Sequence, residues 1–280
     1  MKNAVDILGV QVDPVTAPEA VARIRELIQR GERAYVVTVN PEIIMRARTD
    51  AAFRRTLNRA DLRVADATGV IWAAHYLARR RRGTAWAYLA AFWWLCVLAV
   101  RPARLKRRLP ATIPGSDLLR DLAGMCEEFG YRLFLLGAAP GVAEQAAAVL
   151  QEEFPEVAIS GAAPGSPRAS EDADTRARIQ AGGTQVLLVA YGAPKQERWI
   201  ERNLGKLPKP LVAVGVGGSF DYLAGAASLE GGGPARQPPQ VVRRRGFEWL
   251  WRLVTQPSRW RRILIAFPRF VRAVIRESQA

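Results

Sequence analysis

Polar side chains follow two predicted strands in the first quarter of the chain, at the point where each strand ends. Residues 35–39 form a mostly apolar run that contains Thr38, and Asn40 comes directly after it. A second short run, residues 62–65, is followed by Asp66. Because ligands of an open parallel sheet bind beyond the carboxyl ends of its strands, Thr38, Asn40 and Asp66 are expected to face one crevice. A carboxylate and two hydrogen-bonding side chains there would suit a sugar or a nucleotide.

Each of these three residues also has a purely structural interpretation. Asp66 precedes a helical pattern and could be its N-cap, because a short polar side chain there accepts from the free helical N–H groups. The pair Asn40–Pro41 is typical of a turn, and Thr38 is a β-branched residue suited to any strand. The sequence alone leaves both interpretations open.

A charged turn follows a third predicted strand, residues 186–190. It reads Gly-Ala-Pro-Lys-Gln-Glu from Gly192 and opens a helix, with Pro194 in the first turn, where proline is well tolerated. Lys195 and Gln196 are therefore placed at a helix N-terminus in the same crevice, where they could donate hydrogen bonds to a sugar or a diphosphate. The alternative is a charged, solvated first helical turn.

Glycine-containing turns follow two further predicted strands. Gly137 ends one strand and precedes an Ala-rich helix, and Gly217 and Gly218 end another, shortly before Asp221. Such turns let backbone amides approach a phosphate or a nucleotide, so we include these residues among the candidate substrate contacts. The alternative is a tight strand-to-helix turn that binds nothing.

The alternation of strands and helices along 280 residues predicts an α/β, Rossmann-like layered fold with a mostly parallel sheet. The two cysteines, Cys96 and Cys126, lie in dissimilar surroundings, which excludes a disulfide framework. Asp172 and Asp174 have the spacing of a metal-binding pair but lie in a polar stretch, so we interpret them as solvated. We expect no metal and no cofactor.

Three further observations limit the function. His75 is the only histidine and lies nine residues beyond Asp66, so we interpret it as a packing residue rather than a rival base. The N-terminal residues lack the architecture of a signal peptide, so secretion is not expected. No Gly-x-Gly-x-x-Gly opens the first βα unit, which argues against a dinucleotide enzyme.

The positive charge is concentrated in two segments. Residues 79–110 hold nine Lys and Arg without an acidic residue, and residues 236–280 hold eleven Arg against two Glu, so each has a net charge of +9. The whole chain carries +15, so the remainder is slightly acidic. A nucleic-acid-binding fold would carry its basic stripe on the core itself. This distribution instead indicates an anionic membrane surface as partner, and no nucleic acid.

Residues 84–100 form an uncharged, aromatic-rich segment flanked by arginines. A bilayer-spanning helix needs about 20 apolar residues, so this segment is marginal, and a single crossing would separate two halves of one catalytic domain. We therefore predict an interfacial or re-entrant helix with aromatic side chains, among them Trp93 and Trp94, at headgroup depth. The alternatives are a buried core helix and a contact within a homo-oligomer.

The C-terminal segment is predicted to be a strongly amphipathic helix. From residue 259 onward, apolar side chains such as Phe270 and Val274 share one face, with Arg262 and Arg269 opposite. Such a stripe often packs on a domain, but the Arg bias favours the membrane interface. We predict a core at 1–227 with an insert at 79–111, a linker at 228–240 and a membrane- or lipid-binding helical appendage at 241–280.

The motifs described above resemble the WecG/TagA/CpsF family of bacterial glycosyltransferases. The most specific is the Gly-Ala-Pro-Lys-Gln-Glu motif, and the resemblance covers nearly the whole chain except residues 79–110 and 228–235. The family commonly has an arginine three residues before the glycine that matches Gly115, where this chain has Thr112. The matching stretches are Thr38-Val-Asn-Pro-Glu, Asp66-Ala-Thr-Gly-Val, Gly192-Ala-Pro-Lys-Gln-Glu, Gly246-Phe-Glu-Trp-Leu-Trp-Arg and Gln256-Pro-Ser-Arg.

The resemblance implies transfer of an N-acetylhexosamine, typically N-acetylmannosamine or its uronic acid, from a UDP donor. The implied acceptor is an undecaprenyl-diphosphate-linked amino sugar at the cytoplasmic face of the inner membrane, which makes the protein peripheral. Asp66 matches the family's catalytic base, as an inverting transfer requires, and Thr38, Asn40 and Gln196 would orient sugar or diphosphate. Contacts with lipid diphosphate or membrane are expected from Arg236, Arg252, Arg259, Arg262, Arg269, Trp93 and Trp94.

Two other classes of function stay open at this point. Another nucleotide-sugar enzyme, such as an epimerase, would explain the βα units. A non-catalytic membrane adaptor would explain the basic segments but not the convergence of Asp66, Asn40 and Gln196.

Overall fold

A computed structural model describes residues 3–79, 84–225, 227–228, 232–234 and 260–279. Its main feature is a six-stranded sheet with helices on both faces. The strands, in chain order, are β1 (Val5–Ile7), β2 (Val10–Val12), β3 (Arg33–Val39), β4 (Leu62–Ala65), β5 (Arg132–Gly137), β6 (Ala158–Ala163), β7 (Val186–Ala190), β8 (Leu211–Gly215), β9 (Ala227–Ser228) and β10 (Gly232–Pro234). The helices are α1 (Ala17–Gln29), α2 (Pro41–Thr49), α3 (Ala51–Asn58), α4 (Thr68–Leu77), α5 (Thr84–Val100), α6 (Gly115–Phe129), α7 (Val142–Glu153), α8 (Asp172–Ala181), α9 (Lys195–Asn203), α10 (Ser219–Ala224) and α11 (Trp260–Glu277).

The main sheet has the order β4-β3-β8-β7-β5-β6, and every neighbouring pair is parallel. The predicted α/β, Rossmann-like fold is thereby confirmed. Two short antiparallel pairs, β1 with β2 and β9 with β10, lie outside this sheet. The second pair lies at the start of the predicted linker, most of which lies outside the described residues, as do residues 241–259 of the predicted appendage.

The central strands are apolar on both sides because both faces of the sheet are covered by helices. Val37 and Val39 of β3 belong to the buried core on one face, and Val36 belongs to the core on the other. In β7 the same alternation puts Leu187 on the first face and Leu188 on the second. The strands are therefore fixed in register by burial, and their carboxyl ends reach one edge of the sheet.

The C-terminal helix α11 packs on the domain. Phe270, Val274 and Ile275 are buried, and the helix contacts α2, α4 and α5. The ring of Phe270 lies 6.4 Å from that of Trp72 in α4. The prediction that this apolar face lies in the membrane interface is therefore wrong for residues 270–275, because α2 and α4 offer it an apolar partner within the protein.

Helix α5 also has one face on the protein. Ala87 and Ala91 are buried, and the Tyr76 hydroxyl donates a hydrogen bond of 2.7 Å to the carbonyl of Ala87. Within the described part of the chain, no helix has both the length and the hydropathy needed to cross a bilayer.

Candidate functional site

The candidate site lies where β4, β3, β8 and β7 end side by side. Because these four strands are adjacent and parallel, the loops that follow them share one edge of the sheet. Asp66 follows β4, Asn40 follows β3, Gly192 follows β7 and Gly217 follows β8. The structure therefore brings the residues predicted from four distant parts of the sequence to the same crevice.

Asp66 is half-buried and held by groups from two other elements. Its Oδ1 accepts a hydrogen bond of 2.9 Å from the backbone N–H of Gly115, the first residue of α6. Its Oδ2 lies 3.4 Å from the side-chain nitrogen of Asn40, a long and weak contact. Asp66 does not occupy the N-cap position of the helix after it, which is Ala67, and its Oδ1 accepts from the first residue of α6 instead.

Asn40 has a structural task as well as its contact with Asp66. Its side-chain oxygen accepts the N–H of Ile43 at 3.0 Å and so caps α2. Capping fixes the amide, and the amide nitrogen is thereby directed toward Asp66. The alternative of a plain turn at Asn40–Pro41 is therefore wrong, because Pro41 begins α2 and Asn40 is its N-cap. The cap leaves the amide nitrogen available for a functional contact.

Thr38 is buried and its hydroxyl is used within the sheet. It donates a hydrogen bond of 2.9 Å to the carbonyl of Gly215, which ties β3 to β8. This bond accounts for a polar residue in an apolar strand. Direct binding of a substrate by Thr38 stays a prediction.

Gln196 connects two of the loops that form the crevice. Its buried side-chain oxygen accepts the backbone N–H groups of Gly192 and Gly217, each at 3.1 Å. Its nitrogen donates to Glu197 at 2.8 Å. Gly215 leaves the space for this amide, since a Cβ there would lie 2.7 Å from the Gln196 nitrogen. The amide is therefore engaged in positioning both loops, whereas Lys195 beside it is exposed.

The predicted glycine positions are explained in part by backbone geometry. Gly137 has a φ of +116°, and a Cβ there would lie 2.7 Å from the backbone of Ala190, so only glycine fits. Gly217 has a φ of +55° and donates its N–H to Gln196. Asp221 is buried in α10, and a Cβ on Gly218 would lie 3.4 Å from its carboxylate. Contact of these four residues with a nucleotide stays a prediction.

Several predicted lipid- or membrane-contacting residues lie elsewhere or outside the described part. Arg236, Arg252 and Arg259 lie outside the described residues, and Arg262 lies in α11. Arg269 is exposed on the outer face of α11.

Trp93 and Trp94 point in different directions. Trp93 is exposed, whereas Trp94 packs against His75, with ring centroids 4.3 Å apart, and under the guanidinium of Arg79 at 4.9 Å. The prediction that Trp94 reaches the headgroups is therefore wrong, because its ring packs on α4. His75 is buried, as predicted for a packing residue.

The interpretation of Asp172 as a solvated residue is also wrong. It begins α8, is buried, and accepts two hydrogen bonds from Arg202, at 2.5 and 2.9 Å. Within the described ranges, no group of three or more His, Cys, Asp or Glu is arranged to hold a metal ion. Whether the reaction needs a metal stays a prediction to be tested with a chelator.

A cavity of about 330 Å³ lies beside the candidate site rather than in it. It is lined by residues of α1, α6 and the segment before α6, including Thr112, Asp117 and Asp121, but not by Asp66 or Asn40. Burial raises the pKa of Asp121, and the charge of Asp117 raises it further. The residues that could act as a base or bind a substrate lie at the sheet edge. We therefore assign the candidate site to that edge and not to the cavity.

Sequence reasoning missed two parts of the site. The motif predicts roles for Lys195 and Gln196 but none for Glu197, and no local pattern shows that the Glu197 carboxylate is buried. The N–H of Gly115 binds Asp66 across 49 residues, which no local pattern reveals.

Glu197 is a buried carboxylate at the base of the crevice. One oxygen accepts from Gln196, and the other has no hydrogen-bond partner among the described residues. Burial raises the pKa of Glu197 to about 7, and the bond from Gln196 offsets only part of this effect. Its charge in turn adds to burial in raising the pKa of the Tyr35 hydroxyl.

Replacing Glu197 with Gln should remove a pH dependence of stability. The pKa rises from 4.5 to about 7 on folding, so the folded protein holds a proton that the unfolded chain has lost, and stability falls as pH rises through that window. Glu197→Gln keeps the oxygen that accepts from Gln196 but cannot ionise. In urea titrations we expect nearly equal stability at about pH 4 and a gain of about 3 kcal/mol for the variant at about pH 8. Parallel pH profiles for the two proteins would contradict this account.

Gln196→Ala should loosen the two loops that the amide connects. The Gly192 and Gly217 N–H groups would lose their acceptor, which costs about 1–3 kcal/mol of stability for a buried amide. We expect the KM of a substrate that binds at this edge to rise about tenfold or more, since a small displacement of the site is costly. Lys195→Ala is the matched control: it alters an exposed neighbour in the same turn and should leave the unfolding free energy unchanged. Equal stability of Gln196→Ala and the wild type would refute the positioning role.

Comparison with known proteins matches both halves of the chain to one protein family. The family model described as the glycosyl transferase WecG/TagA/CpsF family matches residues 5–101 and 94–280, two segments that overlap at the end of α5. The match therefore includes residues 79–110 and 228–235, which the resemblance in motifs did not cover. Similar curated proteins are the N-acetylglucosaminyldiphosphoundecaprenol N-acetyl-beta-D-mannosaminyltransferases of Staphylococcus aureus strains NCTC 8325 / PS 47, COL and MRSA252. Each is 31% identical over 261 residues, which cover 92% of this chain and 86% of the relative.

Proposed function

Because this chain belongs to the WecG/TagA/CpsF family of glycosyltransferases, we propose that it transfers an N-acetylhexosamine from a UDP donor to a lipid-linked acceptor with inversion. The sugar is N-acetylmannosamine or its uronic acid, and the acceptor is an undecaprenyl-diphosphate-linked N-acetylglucosamine. The names of the similar proteins support this acceptor and the first of these sugars. The observation that carries the proposal is Asp66, held at the end of β4 by Gly115 and Asn40.

In the proposed reaction, Asp66 acts as the general base. The acceptor hydroxyl oxygen attacks the anomeric carbon, its proton passes to the Asp66 carboxylate, and the bond from that carbon to the UDP oxygen breaks. The Gly115 N–H fixes Oδ1 of the carboxylate, and the Asn40 amide lies beside Oδ2. A base held in this way needs little reorganisation before proton transfer, which is the advantage of a preorganised site.

The departing diphosphate needs compensation of its negative charge. Lys195 is exposed in the first turn of α9, where the helix dipole also favours an anion. Gln196 and Thr38 hold the elements that form the crevice. Gln196 binds the loop at Gly217, and Thr38 binds the strand at Gly215. We assign Lys195 to the diphosphate and the other two residues to positioning.

The proposed acceptor places the enzyme at a membrane. Undecaprenyl diphosphate carriers are embedded in the bilayer by their polyprenyl chain, so the active site must approach the headgroup region. We propose that the protein works at the cytoplasmic face of the bacterial inner membrane, where nucleotide sugars are present. The exposed Arg269, Arg272 and Arg276 of α11 support contact with anionic lipid.

The test is UDP release by the purified protein. UDP-N-acetylmannosamine is supplied with and without a short-chain prenyl-diphosphate-linked N-acetylglucosamine in detergent, and the lipid product is followed by mass spectrometry. We expect UDP and one product with an added hexosamine only when both substrates are present. Interconversion of nucleotide sugars without acceptor would indicate an epimerase instead. No reaction with UDP-N-acetylmannosamine, or with the corresponding uronic acid donor in a second assay, would indicate an adaptor.

A further inference from the structure

Helix α5 exposes a concentrated group of large apolar side chains. In the part of the chain that the structure describes, six large hydrophobic residues are exposed, and all but Phe129 lie in α5. Trp86 is 73% exposed, Phe92 69% and Trp93 63%, so most of the surface of each of these side chains is open to solvent. The five residues are Trp86, Tyr88, Leu89, Phe92 and Trp93.

The outward orientation of these residues follows from the packing of the opposite face. Ala87 and Ala91 are buried on the protein, and the Ala87 carbonyl accepts from Tyr76 at 2.7 Å. Trp94 is held between His75 and Arg79 of the preceding segment. Since these contacts fix the rotation of the helix, Trp86, Leu89 and Trp93, spaced by three and four residues, form one outer stripe.

The size of this surface argues for a partner. Aromatic side chains bury about 150–250 Å² each, so four such rings at these exposures leave on the order of 500 Å² uncovered. That is near the upper end for the largest apolar patch of a soluble monomer, and such patches usually bind something. The helix has 17 residues, about 25 Å at 1.5 Å per residue, and it lies against the protein instead of extending from it.

The charges next to α5 decide between two occupants. Arg101, Arg104, Lys106, Arg107 and Arg108 follow the helix and are exposed, and residues 79–110 contain no acid. Two copies of the chain that met through this face would bring like charges together, which is unfavourable. An anionic lipid surface complements both the cations and the rings, since tryptophan and tyrosine prefer the depth of the headgroups.

We propose that the outer face of α5 docks on an anionic bilayer as an interfacial helix. Trp86, Tyr88 and Trp93 lie at the headgroups, and Leu89 and Phe92 reach the acyl boundary. The inference rests on the exposure and the packing of α5 in this structure. It is also independent of which sugar the enzyme transfers.

The first test is sedimentation of the full-length protein with vesicles of phosphatidylcholine alone or mixed with phosphatidylglycerol. The partition coefficient of the variant Trp86→Ser/Leu89→Ser/Trp93→Ser should fall at least about tenfold on both vesicle types, because the lost contribution to binding is apolar. Arg107→Gln/Arg108→Gln should weaken binding to the anionic vesicles only. Phe129→Ser, which alters an exposed ring at the end of α6 and outside α5, should bind like the wild type. Wild-type binding by the triple variant would overturn the proposal.

The second test uses the protein with all of its own α5 side chains. Its result therefore does not depend on whether a variant folds. Cys96 is exposed on α5, whereas Cys126 is buried and burial raises the pKa of its thiol to about 12, so a maleimide dye reacts selectively with Cys96. The dye should shift its emission to the blue when anionic vesicles are added. The control places the dye beyond β6, in the variant Cys96→Ser/Ser170→Cys, and should not shift. An unshifted Cys96 dye would refute the proposal, as would a lipid-independent dimer that the triple variant abolishes.

Discussion

Replacing Asp66 with Asn is expected to lower the turnover number by about two to four orders of magnitude, the range for a lost general base. The asparagine keeps an oxygen for the N–H of Gly115 and nearly the same shape, so the fold and the position of α6 should be preserved. It cannot accept the proton of the acceptor hydroxyl. The measurement is the steady-state turnover number together with UDP affinity by calorimetry, and UDP affinity should stay within a few-fold of the wild type.

Asp61→Asn is the matched control for this experiment. Asp61 lies just before the opposite end of β4, where its carboxylate accepts the backbone N–H of Tyr35 at 2.8 Å. The chemical change is identical, but the residue is remote from the crevice, so turnover should stay near the wild-type value. A variant at Asp66 that retains normal turnover would remove this residue from the base assignment.

Replacing Phe270 with Ala should destabilise the whole domain. The ring is fully buried between α11 and the helices beneath it, close to Trp72, and truncation of a buried Phe typically costs about 3–5 kcal/mol. We expect urea unfolding to show this loss as a lower midpoint in one cooperative transition. The cost is large because the neighbouring Trp72 of α4 and Val274 of α11 are themselves fully buried and packed, so they cannot collapse into the space.

Arg276→Ala on the exposed face of the same helix should change stability by less than about 0.5 kcal/mol. If Phe270→Ala were as mild as Arg276→Ala, α11 would be a detachable anchor, as its amphipathic sequence suggested. If the expected difference is found, a truncation before α11 removes part of the core. The effect of such a truncation on lipid transfer could then not be assigned to lost membrane contact alone.

The sheet and the place of the crevice could be predicted because both depend on local signals. The apolar run at residues 186–190 marks a buried strand, the shorter and mostly apolar run at 62–65 marks another, and the polar residue after each run marks its carboxyl end. Asp66 and Asn40 followed from that rule. Their spatial proximity needed only the pairing of consecutive parallel strands.

The supporting contacts could not be predicted because they join distant segments. Nothing near Gln196 in sequence shows that its oxygen would bind Gly217 after the next strand, or that Thr38 would donate to Gly215. The same limit applied to α11, since an amphipathic stripe records that one face is apolar but not what covers it. Trp93 and Trp94 are adjacent residues of the same type, so the sequence cannot tell which of them is exposed. Only the packing of α5 shows that the Trp93 ring faces outward and the Trp94 ring faces the protein.

The most direct test of the central claim is the configuration of the new glycosidic bond. The claim is a single displacement in which Asp66 deprotonates the acceptor, and such a reaction inverts the anomeric carbon. With an α-linked UDP-N-acetylmannosamine donor and the prenyl-diphosphate acceptor, proton NMR of the product should show a β-linked sugar. An α-linked product would mean that configuration is retained, and it would contradict the mechanism assigned to Asp66.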